Sequence, residues 1–471
     1  MKRSSLDTST ANTALIPALA HIKVHPLSRF QRRAAPFRQP AEVGYFSYDA
    51  SRSLRVNCDS ALKFFHPPPL DGVSNNLSSG FEDSAPIRYI ARASVVENLD
   101  SLLATLKTTS DSQTSLLTAN DRGDGRPRFC TWRGIMTKIL TAPYSSDTWE
   151  LRASLHKGTL YIMEDPLISR ASDGFSETDR GKKMTYWGYR FEGLSTLDHD
   201  PSTLDPDALH AAEVDRVQTG VVDTHIQFCS VIKTRIGDHD IFMGAEVDCL
   251  LPNADASSAK QQPSESTSKP ATSPSATSKL RQHRYVELKT HRKIQSQSQN
   301  SSFLKQKLFK TYFQCFLAGI PRIIVGFRDD KGFLTKLKEY KTLEIPRMAR
   351  NELQGEEGGA WDPAVCINFG EQVLSTLWKC LAQRNQELCR EGEVEGWQVV
   401  YRVRMKNGSA SFDGRSAGSQ SRGGARGSWR GGASGASGAK SLMSAVNEDA
   451  EVVISDGIVG DDELIFVPKD N

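Results

Sequence analysis

Gly244-Ala245-Glu246-Val247-Asp248, read together with Tyr285-Val286-Glu287-Leu288-Lys289, decides how this chain is organised. Both stretches have the composition of short β-strands, in which alternate residues share a face. Glu246 and Asp248 therefore project together, as do Glu287 and Lys289. If the two strands pair, three carboxylates and one ammonium converge. Carboxylate oxygens hold hard divalent cations, and a lysine beside them can position or activate a water. The chemistry this predicts is metal-dependent cleavage of a phosphodiester or pyrophosphate bond. The competing reading is a solvated face, because antiparallel strands with one wet side carry charges routinely.

The surroundings weigh against mere solvation. Over 241–250, Ile241, Met243, Ala245, Val247 and Cys249 fall on one face, and Phe242, Gly244, Glu246, Asp248 and Leu250 on the other. The acids share their face with apolar residues, which makes them half-buried. Gly244 leaves room for a ligand or another backbone to approach. Residues 226–234 read as a preceding strand, and Gly237-Asp238 between the two runs is a hairpin signal. Residues 252–280 are nearly all Ser, Pro, Thr, Ala, Gln and Lys, a composition that cannot offset the entropy of ordering. They are predicted to be a disordered insertion in a hairpin loop, tolerated because closure entropy grows slowly with length. Removing it makes the Glu246/Asp248 and Glu287/Lys289 strands consecutive antiparallel partners.

Composition narrows the class. The net charge of +3 over 471 residues argues against a histone-like wrapper and leaves room for a local basic channel. The eight cysteines are scattered without a C-x-x-C pair, which points away from zinc or redox work and toward a reducing compartment. No apolar run approaches the roughly 20 residues of a membrane span. The first forty residues carry Lys2, Arg3, Lys23, Arg29, Arg32, Arg33 and Arg38 against Asp7, with Pro17 interrupting the apolar patch. That is no secretory signal; a mitochondrial transit peptide stays open as an alternative.

Along the rest of the chain, 41–68 reads as aromatic-rich strands closed by prolines, and 95–106 places Val96, Leu99, Leu102, Leu103 and Leu106 at helical spacing. Phe129 to Trp132 is a strand from which Arg133 emerges, as a buried ion-pair partner or an anion clamp. Tyr186 to Glu192 is read as an aromatic strand ending in Glu192. A helix over 303–319, stopped by Gly319 and Pro321, sets Phe303, Lys307, Lys310 and Gln314 on one face, able to track a phosphate backbone or simply solvated. Residues 322–327 and 397–404 read as strands and 373–381 as part of an amphipathic helix. The expected organisation is a basic flexible N-terminus at 1–40, one catalytic domain at 41–406, and a disordered tail at 407–471. That tail holds RGG repeats suited to single-stranded RNA and an acidic-apolar end, 448–468, as a dock for a partner.

Five motifs in order carry a resemblance: Thr131-Trp132-Arg133-Gly134, Gly188-Tyr189-Arg190-Phe191-Glu192, Gly244 to Cys249, Glu287-Leu288-Lys289 and Phe313-Gln314-Cys315-Phe316-Leu317. Together they resemble the Rai/Dxo family of RNA 5′-end decapping nucleases, from Phe46-Ser47-Tyr48-Asp49 to the strand ending at Arg328 and on toward 404. The resemblance implies an α+β fold of two mixed, mainly antiparallel sheets flanked by helices, related to PD-(D/E)xK nucleases, with the site in a cleft between the sheets. It implies that Glu192, Glu246, Asp248, Glu287 and the Leu288 carbonyl hold one or two Mg²⁺ or Mn²⁺ ions. Arg133, Lys289 and Gln314 are implied to contact the RNA 5′ end, with Arg52, Cys229 and Glu246 also substrate-contacting.

The implied substrates are 5′-triphosphate RNA, GpppN-capped RNA lacking methylation, and NAD-capped RNA. The nuclear fungal branch matches best, which implies a nuclear location, with mitochondrial or cytoplasmic as alternatives, and a Rat/Xrn-type 5′→3′ exoribonuclease as partner. A catalytically idle activating subunit and a DNA nuclease on the same scaffold stay open as other readings.

Overall fold

Two sheets carry the chain, and the strand that holds the acids passes from one to the other. The computed structural model describes residues 18–81, 88–93, 97–109, 126–164, 178–253, 281–356, 358–390, 400–406 and 451–456. The insertion beyond Asn253 and the RGG repeats lie outside the described residues.

The larger sheet has ten strands in the spatial order β1 (Ala18–Lys23), β18 (Glu451–Asp456), β17 (Val400–Lys406), β7 (Trp149–His156), β8 (Thr159–Glu164), β6 (Arg128–Trp132), β12 (His239–Glu246), β11 (Gln227–Ile236), β2 (Phe37–Tyr48) and β3 (Leu54–Val56). The second runs β16 (Leu334–Lys341), β15 (Arg322–Arg328), β14 (Tyr285–Arg292), β13 (Cys249–Leu250), β4 (Phe64–Phe65) and β9 (Thr196–Leu197). A small parallel pair joins β5 (Tyr89–Ile90) to β10 (Val222–Asp223). β11 and β12 form the expected hairpin, with Ile236 opposite His239, while β6 and β15 pair in parallel with β12 and β14. The sheets are therefore mixed, and the class is α+β.

Eight α-helices of the described residues flank the sheets: α1 (Asp100–Thr109), α2 (Arg133–Thr141), α3 (Asp179–Leu194), α4 (Pro206–Gln218), α5 (Gln297–Ser302), α6 (Phe309–Ala318), α7 (Ile345–Glu352) and α8 (Pro363–Arg390). β12 is buried on both faces because Phe242 packs into the cluster under α1, whereas Ile241 and Met243 join the main core shared with α2, α6 and α8. That main core also takes Ile323 and Val325 from β15, so it fills the space between the sheets. Alternation along the acidic strand holds through Val247 and then breaks: Cys249 turns to the cluster under α3 while Leu250 joins the main core. The break lets β13 leave the large sheet and pair antiparallel with β14, Cys249 opposite Val286 and Leu250 opposite Tyr285. The expected pairing of the two charged strands is thus made by the residues just beyond Asp248.

Two glycines serve this geometry. Gly244 lies opposite Trp132 in the parallel register, and a Cβ there would run into the Trp132 ring. The close approach that the glycine permits is to an aromatic side chain of the protein itself. Gly319 ends α6 in the left-handed region at φ 68°, as the sequence predicts.

Several expectations need correction. Tyr186 to Glu192 is not a strand but the last two turns of α3. Thr178 caps that helix by accepting from the Gly181 N–H at 3.0 Å, and Tyr186, Trp187, Arg190, Phe191 and Leu194 form one buried helical stripe. The helix expected from 95 starts at Asp100; Leu99, Leu102, Leu103 and Leu106 are its buried stripe, while Val96 lies outside the described residues. The helix expected over 303–319 opens with a π-helical stretch, Phe303–Leu308, before α6. That wider turn breaks the shared face: Phe303 is buried whereas Lys307 is exposed. Finally, folded structure extends beyond 41–406, since β1 and the start of β2 precede it and β18 follows it.

Candidate active site

The change of sheet after β12 aims Glu246 and Asp248 into the seam, where β14 presents Glu287 and Lys289 and the end of α3 presents Glu192. Glu192, Glu246 and Asp248 line one pocket of about 90 Å³ together with Tyr189 and Gln227. Lys289 Nζ stands 2.6 Å from Glu287 Oε1 and 3.7 Å from Asp248 Oδ2, and donates to the Leu288 carbonyl at 2.9 Å. Asp248 Oδ2 accepts from the Leu288 N–H at 2.6 Å. From the other side Arg133, first residue of α2, donates from Nη1 to Glu287 Oε2 at 3.1 Å. Glu287 is 1 % exposed, so both cations meet it out of water.

Electrostatics divides these acids. Burial alone would raise Glu287, but Lys289 and Arg133 outweigh it and hold the carboxyl at about 2. Burial pushes Asp248 up to about 7, with the Glu287 and Glu246 charges adding to it against Lys289. Glu192 is driven well above the carboxylate range by burial first and then by Asp248. Glu246 keeps solvent access at the pocket rim, yet the crowding of protein around it also raises it, against Arg133 and Lys289. Lys289 and Arg133 are held in their charged forms by the acids, Glu287 foremost, against the cost of burial.

Among the described residues, no three acidic, His or Cys side chains already meet at a common point able to hold a metal ion. Glu287 is instead drawn to Lys289 and Arg133. The donor set nonetheless fits a hard divalent cation. Burial first, and then the charges of the neighbouring acids, push three of the four acids toward their protonated forms despite Lys289, a cost that a bound cation would relieve, and the Leu288 carbonyl faces the same Lys289 ammonium.

The remaining predicted residues fall around this centre. Cys229 lies opposite Glu246 in the β11–β12 register, and its buried thiol is pushed up by desolvation and then by Glu246. Gln314 is half-buried on α6 beside Cys315, whose thiol feels Glu287, Arg133 and Lys289. Arg52, at φ 60°, is one step removed. It stacks 3.7 Å over Tyr48 and donates to the Gln227 side-chain oxygen at 2.6 Å, and Gln227 Nε2 in turn donates to Glu246 Oε1 at 3.0 Å. Sequence reading missed Gln227 and also Glu97, which binds both Arg52 and Arg92. Gln227 was within reach of it, since Gln227 and Cys229 share a face of one strand.

A seam of carboxylates with an E-x-K strand, set between a mixed sheet and its flanking helices, defines a nuclease of the PD-(D/E)xK kind. The chain matches the family model described as RAI1 like PD-(D/E)XK nuclease over residues 38–425. It is 33 % identical over 359 residues to the human decapping and exoribonuclease protein, covering 75 % of this chain and 78 % of that one. To the decapping nuclease RAI1 of Neurospora crassa it is 32 % identical over 390 residues, covering 81 % and 83 %. The crystal structure of Candida albicans Rai1 in complex with pU5-Mn²⁺ superposes with a TM-score of 0.60 at 24 % identity, over 81 % of this chain and 90 % of that one. Scheffersomyces stipitis Rai1 in complex with (3′-NADP)⁺ and calcium ion gives 0.57 at 25 % identity, over 79 % and 89 %. The chain belongs to the RAI1-like PD-(D/E)XK nuclease family and is a hydrolase of the RNA-decapping kind.

Proposed function

We propose that the protein is a metal-dependent hydrolase of RNA 5′ ends that removes pyrophosphate from 5′-triphosphate RNA and removes unmethylated GpppN caps and NAD caps. The observation that carries the reading is the convergence of Glu192, Glu246, Asp248, Glu287 and the Leu288 carbonyl about Lys289, with Arg133 behind them. Two Rai1 relatives are solved in complex with pU5-Mn²⁺ and with (3′-NADP)⁺ and calcium ion, which supports the reading that this chain too binds nucleotide and divalent metal.

A Mg²⁺ or Mn²⁺ ion held by those four acids and the Leu288 carbonyl would supply charge neutralisation at the phosphate and a more acidic bound water. Lys289 stands where it can orient that water and offset charge building on the phosphoryl oxygens. Arg133 has guanidinium N–H donors beyond the one given to Glu287 and grips a phosphate by its planar fork. Gln314, Arg52 and Cys229 are assigned to the RNA end, Arg52 acting through Gln227 on the placement of Glu246.

Replacement of Asp248 or Glu287 by Ala is expected to abolish Mn²⁺-dependent release from 5′-triphosphate and GpppN-RNA while circular dichroism shows an intact fold. Undiminished release by both variants would remove these residues from the chemistry. We also assign the protein a nuclear location and a Rat/Xrn-type 5′→3′ exoribonuclease as partner, on the resemblance to the nuclear fungal branch. Co-purification of the exoribonuclease with the full chain, and its stimulation by the D248A variant, tests that part separately from catalysis.

A further inference from the structure

A second cavity, of about 640 Å³, opens where the first turns of α3 meet the ends of β14 and β15. It lies on the opposite face of the second sheet from Glu287 and Lys289. Val286 and Leu288 of β14 and Ile324 of β15 pack into the cluster under α3, and a Cβ on Gly326 would run into the Phe191 ring of that helix. By alternation Arg292 and Arg328 share this α3 face, and they stand side by side in the parallel register. Glu287 and Lys289, at the odd positions of β14, project the other way.

The cations at this cavity converge. On α3, Arg180, Lys183 and Trp187 fall at i, i+3 and i+7, one face of the helix. Trp187 Nε1 donates to Ser78 Oγ at 2.9 Å, and the ring so fixed gathers Arg328, 4.2 Å over its centre, and Lys183 Nζ at 5.8 Å. Arg328 is only 7 % exposed. Its one hydrogen bond among the described residues runs from Nη1 to the Asp329 carbonyl at 3.1 Å, and no described carboxylate stands within ion-pair distance of it. A buried charge is costly without a counter-charge. Burial holds this guanidinium below its usual range, with the Arg292 and Arg180 charges adding to it against Asp330 and Asp329. Arg180 and Lys183 are exposed and have no ion-pair partner among the described residues, while Arg292 is tied at 2.5 Å to the exposed Asp330. Around the cavity, four cations thus face two acids, Asp179 and Asp330.

The group complementary to this arrangement is an anion with several acceptor oxygens, and the planar guanidinium fork suits phosphate. Phe81 and Met184, the latter 37 % exposed, supply an apolar part of the lining. The volume falls among small-molecule pockets, roughly 300–1,000 Å³, rather than sites for a bare ion.

We propose that the cavity binds a phosphate monoester, its phosphate on Arg180, Lys183, Arg292 and Arg328 and its organic group against Phe81 and Met184, at a site separate from the acidic cleft. The proposal does not depend on the RNA 5′-end reading. Calorimetry on the full chain in chelator, with AMP, phenyl phosphate, inorganic phosphate and adenosine as probes, tests it. Both esters are expected to bind, each more tightly than inorganic phosphate, and adenosine is not. R180Q/K183Q/R292Q changes only exposed side chains and is expected to weaken both esters by at least roughly tenfold, because charge-assisted hydrogen bonds are the ones removed. D330N frees Arg292 and should tighten both by about threefold, the scale of one exposed ion pair, which guards against a folding defect in the triple variant. Mn²⁺-dependent cleavage of 5′-triphosphate RNA, measured separately, should match wild type in both variants. Failure of wild type to bind either ester, or equal binding by wild type and triple variant, would overturn the site. Inorganic phosphate binding as tightly as the esters would overturn the assignment of an ester, and loss of cleavage together with ester binding would overturn the separation from the acidic cleft. Absence of cleavage by wild type itself would count against the 5′-end reading and leave the calorimetric test of this cavity intact.

Discussion

Asp248 and Glu287 are neighbours on either side of Lys289, yet one is pushed up to about 7 and the other held at about 2. Burial raises both; Lys289, at 2.6 Å from Glu287 against 3.7 Å from Asp248, and then Arg133, bonded to Glu287 at 3.1 Å, outweigh it on Glu287, while the Glu287 and Glu246 charges add to it on Asp248. The identities of the site acids were legible in the sequence, because E-x-D and E-x-K spacings put charges on one strand face. Their inequality was not, because it depends on how close each acid stands to Lys289 and on Arg133, a residue from a separate element. It has two consequences with definite sign. Below about 7 Asp248 carries a proton that a cation must displace, so Mn²⁺ affinity should rise as pH increases toward 7 and level off above it. Calorimetry in buffers of different ionisation enthalpy should show proton uptake by buffer on Mn²⁺ binding at pH 6 and little at pH 8; pH-independent binding would contradict the assignment. Without metal the same shift penalises folding. An acid whose folded pKa is raised costs stability above that pKa, less between it and the unfolded value near 4, and nothing below both. D248N should therefore raise Tm at pH 8, with the gain shrinking below 7 and vanishing near pH 4.

At the scale of elements, the decisive event is the break after β12, and Trp132 guards its approach. The sequence pattern at 241–250 reads as one unbroken strand because its alternation is regular; only the presence of a second sheet, to which β13 pairs, makes the change of direction visible. The same limit explains α3: Tyr186 to Glu192 has the aromatic content of a strand, and its helical stripe emerges only when Leu194 and the Thr178 cap are counted with it. The π-helical Phe303–Leu308 was equally hidden, since ideal helical spacing cannot anticipate a wider turn. Gly244, by contrast, was picked out for a close approach, and the structure supplies the approaching group. Gly244→Ala would drive a methyl into the Trp132 ring beside Arg133. Overpacking of this sort costs about 1–3 kcal/mol. The variant should unfold at a lower temperature and, with Arg133 displaced, show a raised KM for 5′-triphosphate RNA; a Tm and KM equal to wild type would show that Trp132 moves aside freely.

At the scale of the whole molecule, the ten-stranded sheet is completed by the two ends of the chain. β18 lies between β1 and β17 and pairs antiparallel with both, Ile454 opposite Ala20 and Val403, Val452 opposite Ile22 and Met405. Val452 and Ile454 are fully buried in the main core. Sequence reading put 451–456 in a disordered tail with an acidic-apolar end suited to docking. The alternation of Glu451-Val452-Val453-Ile454-Ser455-Asp456 was a genuine strand signal, but its partners are remote in sequence and it follows a Gly/Ser-rich stretch that dominates local composition. For 451–456 the dock is the chain's own sheet; the rest of 448–468 lies outside the described residues. Long connections such as 407–450 are compatible with this, since closure entropy rises only slowly with length. Truncation after Lys406 is then not neutral, as a 41–406 domain would have it, but uncovers the edges of β1 and β17 and empties two core positions. Ile454→Ala removes part of one of them, a change that costs about 2–5 kcal/mol at a fully buried site. Both the truncation and I454A should lower Tm, the truncation more, and limited proteolysis should then release the segment before β2. Equal thermal stability of wild type and truncated chain would show that β18 adds no net stability to the sheet.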